Sequence, residues 1–208
     1  ENKDVRLFAV TALGRIGPAA ERAIPMLMAR MDDWPNAIHS AVALAGIGEP
    51  VIPHLLKDLK SDNAAARLRA ARVVQVMRGR GAAVAPALGK ALRDPREEVR
   101  RSVTRALYKL NSAAKPAESA LIEALEDPSK CVRYDAASVL VNIAPTNRRT
   151  LPTLIELIKD EELGPLVIQT LGRMGPTADP AVEAVAQYLN DQNEYTRLIA
   201  AVTGRRDG

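Results

Sequence analysis

Residues 5–17 read VRLFAVTALGRIG, and their apolar positions Val5, Ala9, Ala12, Leu13 and Ile16 fall three and four apart. That spacing draws one buried stripe along a helix, not the alternation of a strand. Gly17 follows, where a glycine closes a helix by taking a positive φ. The phrase then recurs: LGRIGP at 13–18 returns as LGRMGP at 171–176, with weaker copies between them. A fixed period of this kind decides the architecture before any single element is assigned.

With Leu13 as marker, residues 5–16 align with NAIHSAVALAGI (36–47), ARLRAARVVQVM (66–77) and VRRSVTRALYKL (99–110). They align further with VRYDAASVLVNI (132–143), LGPLVIQTLGRM (163–174) and, weakly, the residues from Thr196. The marker column reads Leu13, Leu44, Val74, Leu107, Leu140, Leu171 and Gly204, with steps of 30 to 33 residues. A shorter apolar pattern fills each interval, with proline at Pro25, Pro53, Pro86 and Pro152. Proline is tolerated in the first turn of a helix, where its missing N–H has no partner to lose, so these mark helix starts.

Asp94-Pro95-Arg96-Glu97 has Asp94 at the N-cap position, Pro95 first and Glu97 third in the helix, and Asp191 to Glu194 repeats the spacing. Gly17, Gly48, Gly79 and Gly175 are predicted to end the long helices. The fold expectation is an all-α, right-handed solenoid of about six and a half helical hairpins, some 13 helices in a single curved array over 1–208. Its units fall at about 1–33, 34–62, 63–94, 95–127, 128–160 and 161–191, with a partial one at 192–208.

Composition agrees. Of 208 residues 47% are hydrophobic but only 3% aromatic, which suits close packing of helix on helix through small aliphatic side chains. One cysteine, Cys131, excludes an internal disulfide and a cysteine-rich zinc site, and is read as a buried thiol acting as a small hydrophobe. There is no apolar run long enough to span a membrane, and the localisation expectation is cytoplasmic by default. The sequence starts at Glu1 without a methionine and stops one helix into a seventh unit, so an excerpt of a longer protein is expected. The net charge of +4 hides an asymmetry: residues 57–115 carry 15 Lys or Arg against 5 Asp or Glu, while both flanks are net acidic.

The alternation of a short xxPxLxxxL helix, an acidic turn and a VRxxAxxALGxIG helix resembles HEAT repeats, most of all the short HEAT-like kind of phycobilisome lyase subunits. The resemblance implies a binding scaffold, with long helices lining a concave side and short ones a convex side. It also implies an Asp–Arg ladder between neighbouring units. Here the pairs would be Asp94 with Arg100, Asp127 with Arg133 and Asp191 with Arg197, while Arg6 and Arg67 fit less regularly. Units two and six carry Ala37 and Gly164 where Arg belongs, so a local change of stacking angle is expected there.

On the long helices the third, fourth, seventh and eleventh positions point away from the buried stripe. Those columns bring Arg69, Arg72, Arg101, Arg105 and Lys109 together at the middle of the concave face, with Arg78 and Arg80 near its rim. Such a patch attracts an acidic protein segment or a phosphate backbone. The alternative is a solvated face in which Arg serves as a good helix former. Aromatic residues able to stack on bases are sparse beside it, which favours the protein over the nucleic acid. Leu7, Phe8, Leu166, Leu198 and Ile199 fall on similar outward columns near the two ends, either as a second contact or as faces another unit would cover.

No catalytic constellation emerges, and no cofactor or metal is assigned. His39 and His54 belong to no paired ligand motif, Gly46-Ile47-Gly48 and Gly79-Arg80-Gly81 follow helices instead of strands, and Glu97-Glu98 and Glu161-Glu162 suit helix N-termini. Trp34 is read as filling a shortened turn. The functional expectation is a non-enzymatic scaffold for an acidic protein partner. The alternatives are a nucleic-acid binder or a chaperone-like subunit of a bilin lyase.

Overall fold

The computed structural model describes residues 3–31, 37–190 and 197. The expectations for Trp34, Asp191, Leu198, Ile199 and Gly204 lie outside the described residues. Among those described the chain is an all-α solenoid, with long and short helices in strict alternation and no strand. The order is α1 (Lys3–Ile16), α2 (Ile24–Arg30), α3 (Ala37–Ile47), α4 (Ile52–Asp58), α5 (Ala64–Met77), α6 (Ala85–Ala91) and α7 (Glu97–Leu110). It continues with α8 (Glu118–Glu123), α9 (Lys130–Ile143), α10 (Thr150–Leu157), α11 (Gly164–Met174) and α12 (Val182–Ala186). No helix among the described residues is long and apolar enough to cross a membrane.

The helices gather in two compact units, Glu1–Ala117 and Glu118–Gly208. In the first, α1 packs on α3, α3 on α5 and α5 on α7, with α2, α4 and α6 each backing the following long helix. In the second, α9 packs on α8, α10 and α11. The marker residues Leu44, Val74, Leu107 and Leu140 are fully buried. So are the positions eight, four and one before the marker and three after it on α7, namely Val99, Val103, Ala106 and Leu110. Helices of this length are marginal alone, so burial of this stripe against the next hairpin is what stabilises them.

On α1 the same stripe is bare. Val5 is 62% and Ile16 57% exposed, Ala9 and Ala12 are exposed, and Leu13 is half-buried. The forward face of α1 is closely packed instead. A Cβ on Gly14 would sit 2.8 Å from the Ala43 Cα, and one on Gly46 would sit 2.3 Å from the Gly14 carbonyl oxygen. The absence of side chains there lets the two backbones touch.

Pro25, Pro53 and Pro86 stand in the first two positions of α2, α4 and α6, and Pro152 in the first turn of α10. The long helices end four residues past the marker at a positive φ, on Gly17, Gly48 and Gly175, as expected. In the third unit that position is Arg78 (φ 53°), not Gly79, and in the fourth it is Asn111 (φ 55°). In the third and fourth units, where the sequence offers no glycine at that distance from the seam, a side chain takes the positive φ, whereas α9 ends at Ala144 with φ −148°. Asp94 is likewise not an N-cap. Arg96 occupies that position of α7, and the Asp94 carboxylate accepts the Arg96 N–H at 3.0 Å, closing a tight turn before the helix. Asp127 with Ser129 (2.8 Å) and Asp160 with Glu162 (3.0 Å) repeat that turn. At Gly164 an added Cβ would meet the Ile158 carbonyl at 2.6 Å, which accounts for glycine where other units carry arginine.

Candidate functional site

The spacing of α5 and α7 is fixed by a chain of polar contacts that starts with a cap. Asn63 caps α5 by accepting the Ala65 N–H at 2.9 Å, which orients the first turn and places Arg67 toward the next hairpin. The Arg67 guanidinium donates to both oxygens of the Asp94 carboxylate, and its Nη1 donates to the carbonyls of Ser61 (2.8 Å) and Asp62 (2.9 Å). Arg100 donates to the Asp94 carbonyl at 2.9 Å. The expected pairs Asp94–Arg100 and Asp127–Arg133 therefore meet, but through a backbone carbonyl and within one turn. Arg100 and Arg133 reach the backbone carbonyls of Asp94 and Asp127 in their own turns, while the Asp94 carboxylate is taken by Arg67 from the unit before. Burial alone would raise the Asp94 pKa, but the Arg67 hydrogen bond, the Arg96 N–H and the charges of Arg67 and Arg100 hold it below the usual carboxylate range.

Further along the same two helices the Gln75 amide donates to the Ser102 hydroxyl (2.9 Å) and carbonyl (3.1 Å). Above this staple a groove of about 240 Å³ is lined by Leu68, Arg72, Gln75, Glu98, Arg101, Ser102 and Arg105. Three of the five predicted residues meet there. Arg72 and Arg105 are exposed; Arg101 is half-buried, and its Nε is buried without a hydrogen-bond partner. The groove holds three guanidinium groups against one carboxylate, and Glu98 itself lies 3.6 Å from Arg96.

The other two predicted residues lie elsewhere. Arg69 is held by Asp58 at 2.9 Å and does not line the groove. Lys109 is exposed with its ammonium 5.9 Å from the Tyr108 ring centre, likewise outside the lining. Arg78 and Arg80 are exposed beyond the end of α5. Gln75 lies outside the outward columns, whereas Leu68 and Ser102 stand in the third and fourth of them. Glu98 was assigned only to the helix dipole.

In the second unit the outward side of α9 and α11 is tied up by its own hydrogen bonds. The Tyr134 hydroxyl lies 3.2 Å from that of Thr170, and Arg173 donates to Asn142 (3.1 Å) and Thr170 (3.0 Å). Lys130 pairs with Asp160 at 2.7 Å, which raises the lysine pKa and lowers that of the aspartate. Cys131 is half-buried, so the fully buried thiol is corrected: it sits in the first turn of α9, one residue before the seam position Val132. Among the described residues no three His, Cys, Asp or Glu side chains are grouped to hold a metal ion.

Two family patterns match the chain: HEAT repeats over residues 118–203, and the PBS lyase HEAT-like repeat over 5–33 and 99–127. No curated protein matches the sequence. Similar solved structures include an engineered protein, at 19% identity and a TM-score of 0.63 over 94% of each chain. A second engineered protein has 20% identity and a TM-score of 0.58, covering 97% of this chain and 64% of that one. The complex of CpcE and CpcF of phycocyanin lyase from a Nostoc species is also similar, at 24% identity and a TM-score of 0.54, covering 98% and 82%.

Proposed function

Because the chain belongs to the HEAT-repeat family, we propose that it is a non-enzymatic interaction scaffold. Its long-helix face receives an acidic segment of a protein partner. One observation carries the reading: Arg72, Arg101 and Arg105 converge on a single groove whose walls are pinned by Arg67–Asp94 and Gln75–Ser102. Pinned walls hold the guanidinium groups apart without the partner's help, so little ordering is left to be done on binding. A planar guanidinium also matches a carboxylate with two parallel hydrogen bonds.

Nucleic acid fits less well. Strands without sequence preference are held by aromatic platforms as well as charge, and no aromatic side chain lines this groove. A role like that of the phycocyanin lyase subunits has only the shared fold behind it.

The test is binding of a fluorescent Asp/Glu-rich peptide, followed by anisotropy at low and moderate salt, to the chain and to its Arg72→Glu/Arg105→Glu variant. Binding to the chain that weakens with salt, and falls at least tenfold in the variant, is the expected result. Equal binding by both proteins would sink the reading. Displacement of the peptide by generic duplex DNA at stoichiometric amounts would replace it with the nucleic-acid one.

A further inference from the structure

We propose that the partner of this face is a bipartite extended segment, with apolar side chains seated on α1 and α3 and acidic side chains five or six residues away in the α5–α7 groove. The inference rests on the reading that the groove receives acidic groups, and adds what lies beside them.

The positions six, five and two before the marker make one stripe on every long helix. On α7 they are Arg101, Ser102 and Arg105 and on α5 Leu68, Arg69 and Arg72, which supply most of the basic groove. On α3 they are Ile38, His39 and Val42, and on α1 Leu7, Phe8 and Thr11. Since α1, α3, α5 and α7 pack in that order, the four stripes form one continuous face. Its character changes from apolar to basic between α3 and α5.

The apolar half is open to solvent. Phe8 is 71% exposed, and Ile38 and Val42 are each 55% exposed. Missing neighbours do not explain α3, because it is covered by α1 on one side and α5 on the other. Its seam residues Ala43, Leu44 and Ile47 are buried while Ile38 and Val42 are not. On α1 Phe8 lines one shallow depression with Ala12 and Ile16 and so borders the bare stripe, whereas Ile38 and Val42 stand clear of the buried seam of α3. Two β-branched apolar residues therefore stand in water on the same face as three arginines, which calls for a ligand offering both apolar and acidic groups.

The geometry sets the register. Packed helices lie about 8 to 10 Å apart, so the line between α1 and α3 lies two spacings, roughly 16 to 20 Å, from the line between α5 and α7. An extended chain rises about 3.3 Å per residue, and about five or six residues bridge that distance.

The experiment uses the full chain and labelled synthetic peptides carrying a Leu-Phe pair, a four-residue Gly/Ser spacer and three aspartates, made in both sequence orders. One order is expected to bind. Its Kd should rise at least tenfold when Leu-Phe becomes Ser-Ser, when the spacer is deleted, or when the protein carries Ile38→Ser/Val42→Ser. Both altered positions are exposed, and circular dichroism melts check that the variant folds. If Ser-Ser peptides bind as tightly while Arg72→Glu/Arg105→Glu abolishes binding, the bipartite surface is overturned and the acidic-partner reading survives. If the spacer proves dispensable the register is overturned. Absence of binding, or binding indifferent to the arginine reversal, overturns both.

Discussion

The Arg67 guanidinium on α5 grips the Asp94 carboxylate in the turn before α7, joining two consecutive hairpins across 27 positions of sequence. Both side chains are nearly shielded from water, at 14% and 3% exposure. In such a site one partner without the other is worse than neither, because the survivor is left charged and unpaired.

Replacing Arg67 by Ala is therefore expected to cost about 3 kcal/mol. Asp94→Ala should cost at least as much, since it also opens the turn that Arg96 closes. The double variant should lose clearly less than the sum of the two. A urea-denaturation double-mutant cycle measures this, and strict additivity would show that the pair is not coupled.

The same carboxylate sets an acid limit. Its folded pKa lies below the unfolded value of about 3.9, so its stabilising contribution is complete above that value and is lost as pH falls through the folded pKa. Asp160 acts in the same direction, while Lys130, raised by Asp160, loses its contribution only when pH climbs past the ordinary lysine range. Urea midpoints at pH 7, 5 and 3 should be level for the first two and drop at the third. In Asp94→Asn, already less stable at pH 7, the drop should be smaller.

Arg78 and Asn111 close their helices at φ 53° and 55°, ψ −140° and −131°, a region that glycine alone enters freely. Gly17, Gly48 and Gly175 hold the same place in other units. Arg78→Gly and Asn111→Gly are each expected to stabilise by about 1 kcal/mol, read as a rise in thermal midpoint. An unchanged or lower midpoint for both would show the conformation carries no strain.

Gly46→Ala tests the contact between α1 and α3. The new methyl would lie 2.3 Å from the Gly14 carbonyl oxygen, a backbone atom held by its own helix. Overpacking of this kind costs about 1 to 3 kcal/mol. Gly79→Ala, where an added Cβ meets nothing within 4 Å, serves as the control.

Much of this was legible from one column. The 3.6-residue period placed the seam, and Val74, Leu107 and Leu140 are buried where it put them. Proline in the first turn marked the short helices for a local steric reason that needs no partner. The groove was legible in part, because Arg72, Arg101 and Arg105 share an outward stripe that depends only on helix geometry. Arg69 shares it too, but an Asp58 eleven positions earlier bends it aside, and no periodicity reports which of two acceptors a long side chain will choose. The Arg67 rung was hidden for a related reason. Six-residue spacing within a turn is visible in sequence, whereas the donor from the preceding unit is fixed only once the hairpins have stacked.

The bare stripe on α1 has a consequence in time as well as in space. In a stacked array the free energy of opening a hairpin is its own stability plus what each neighbour contributes. Among the described residues the long helix packed on α1 is α3, on one side, whereas α3 and α5 each have a long helix on both sides. Amide hydrogens of α1 should therefore exchange with deuterium first and those of α5 much later, the array unzipping from its first hairpin inward. Equal protection of α1 and α5 would mean that the whole first unit opens in one step.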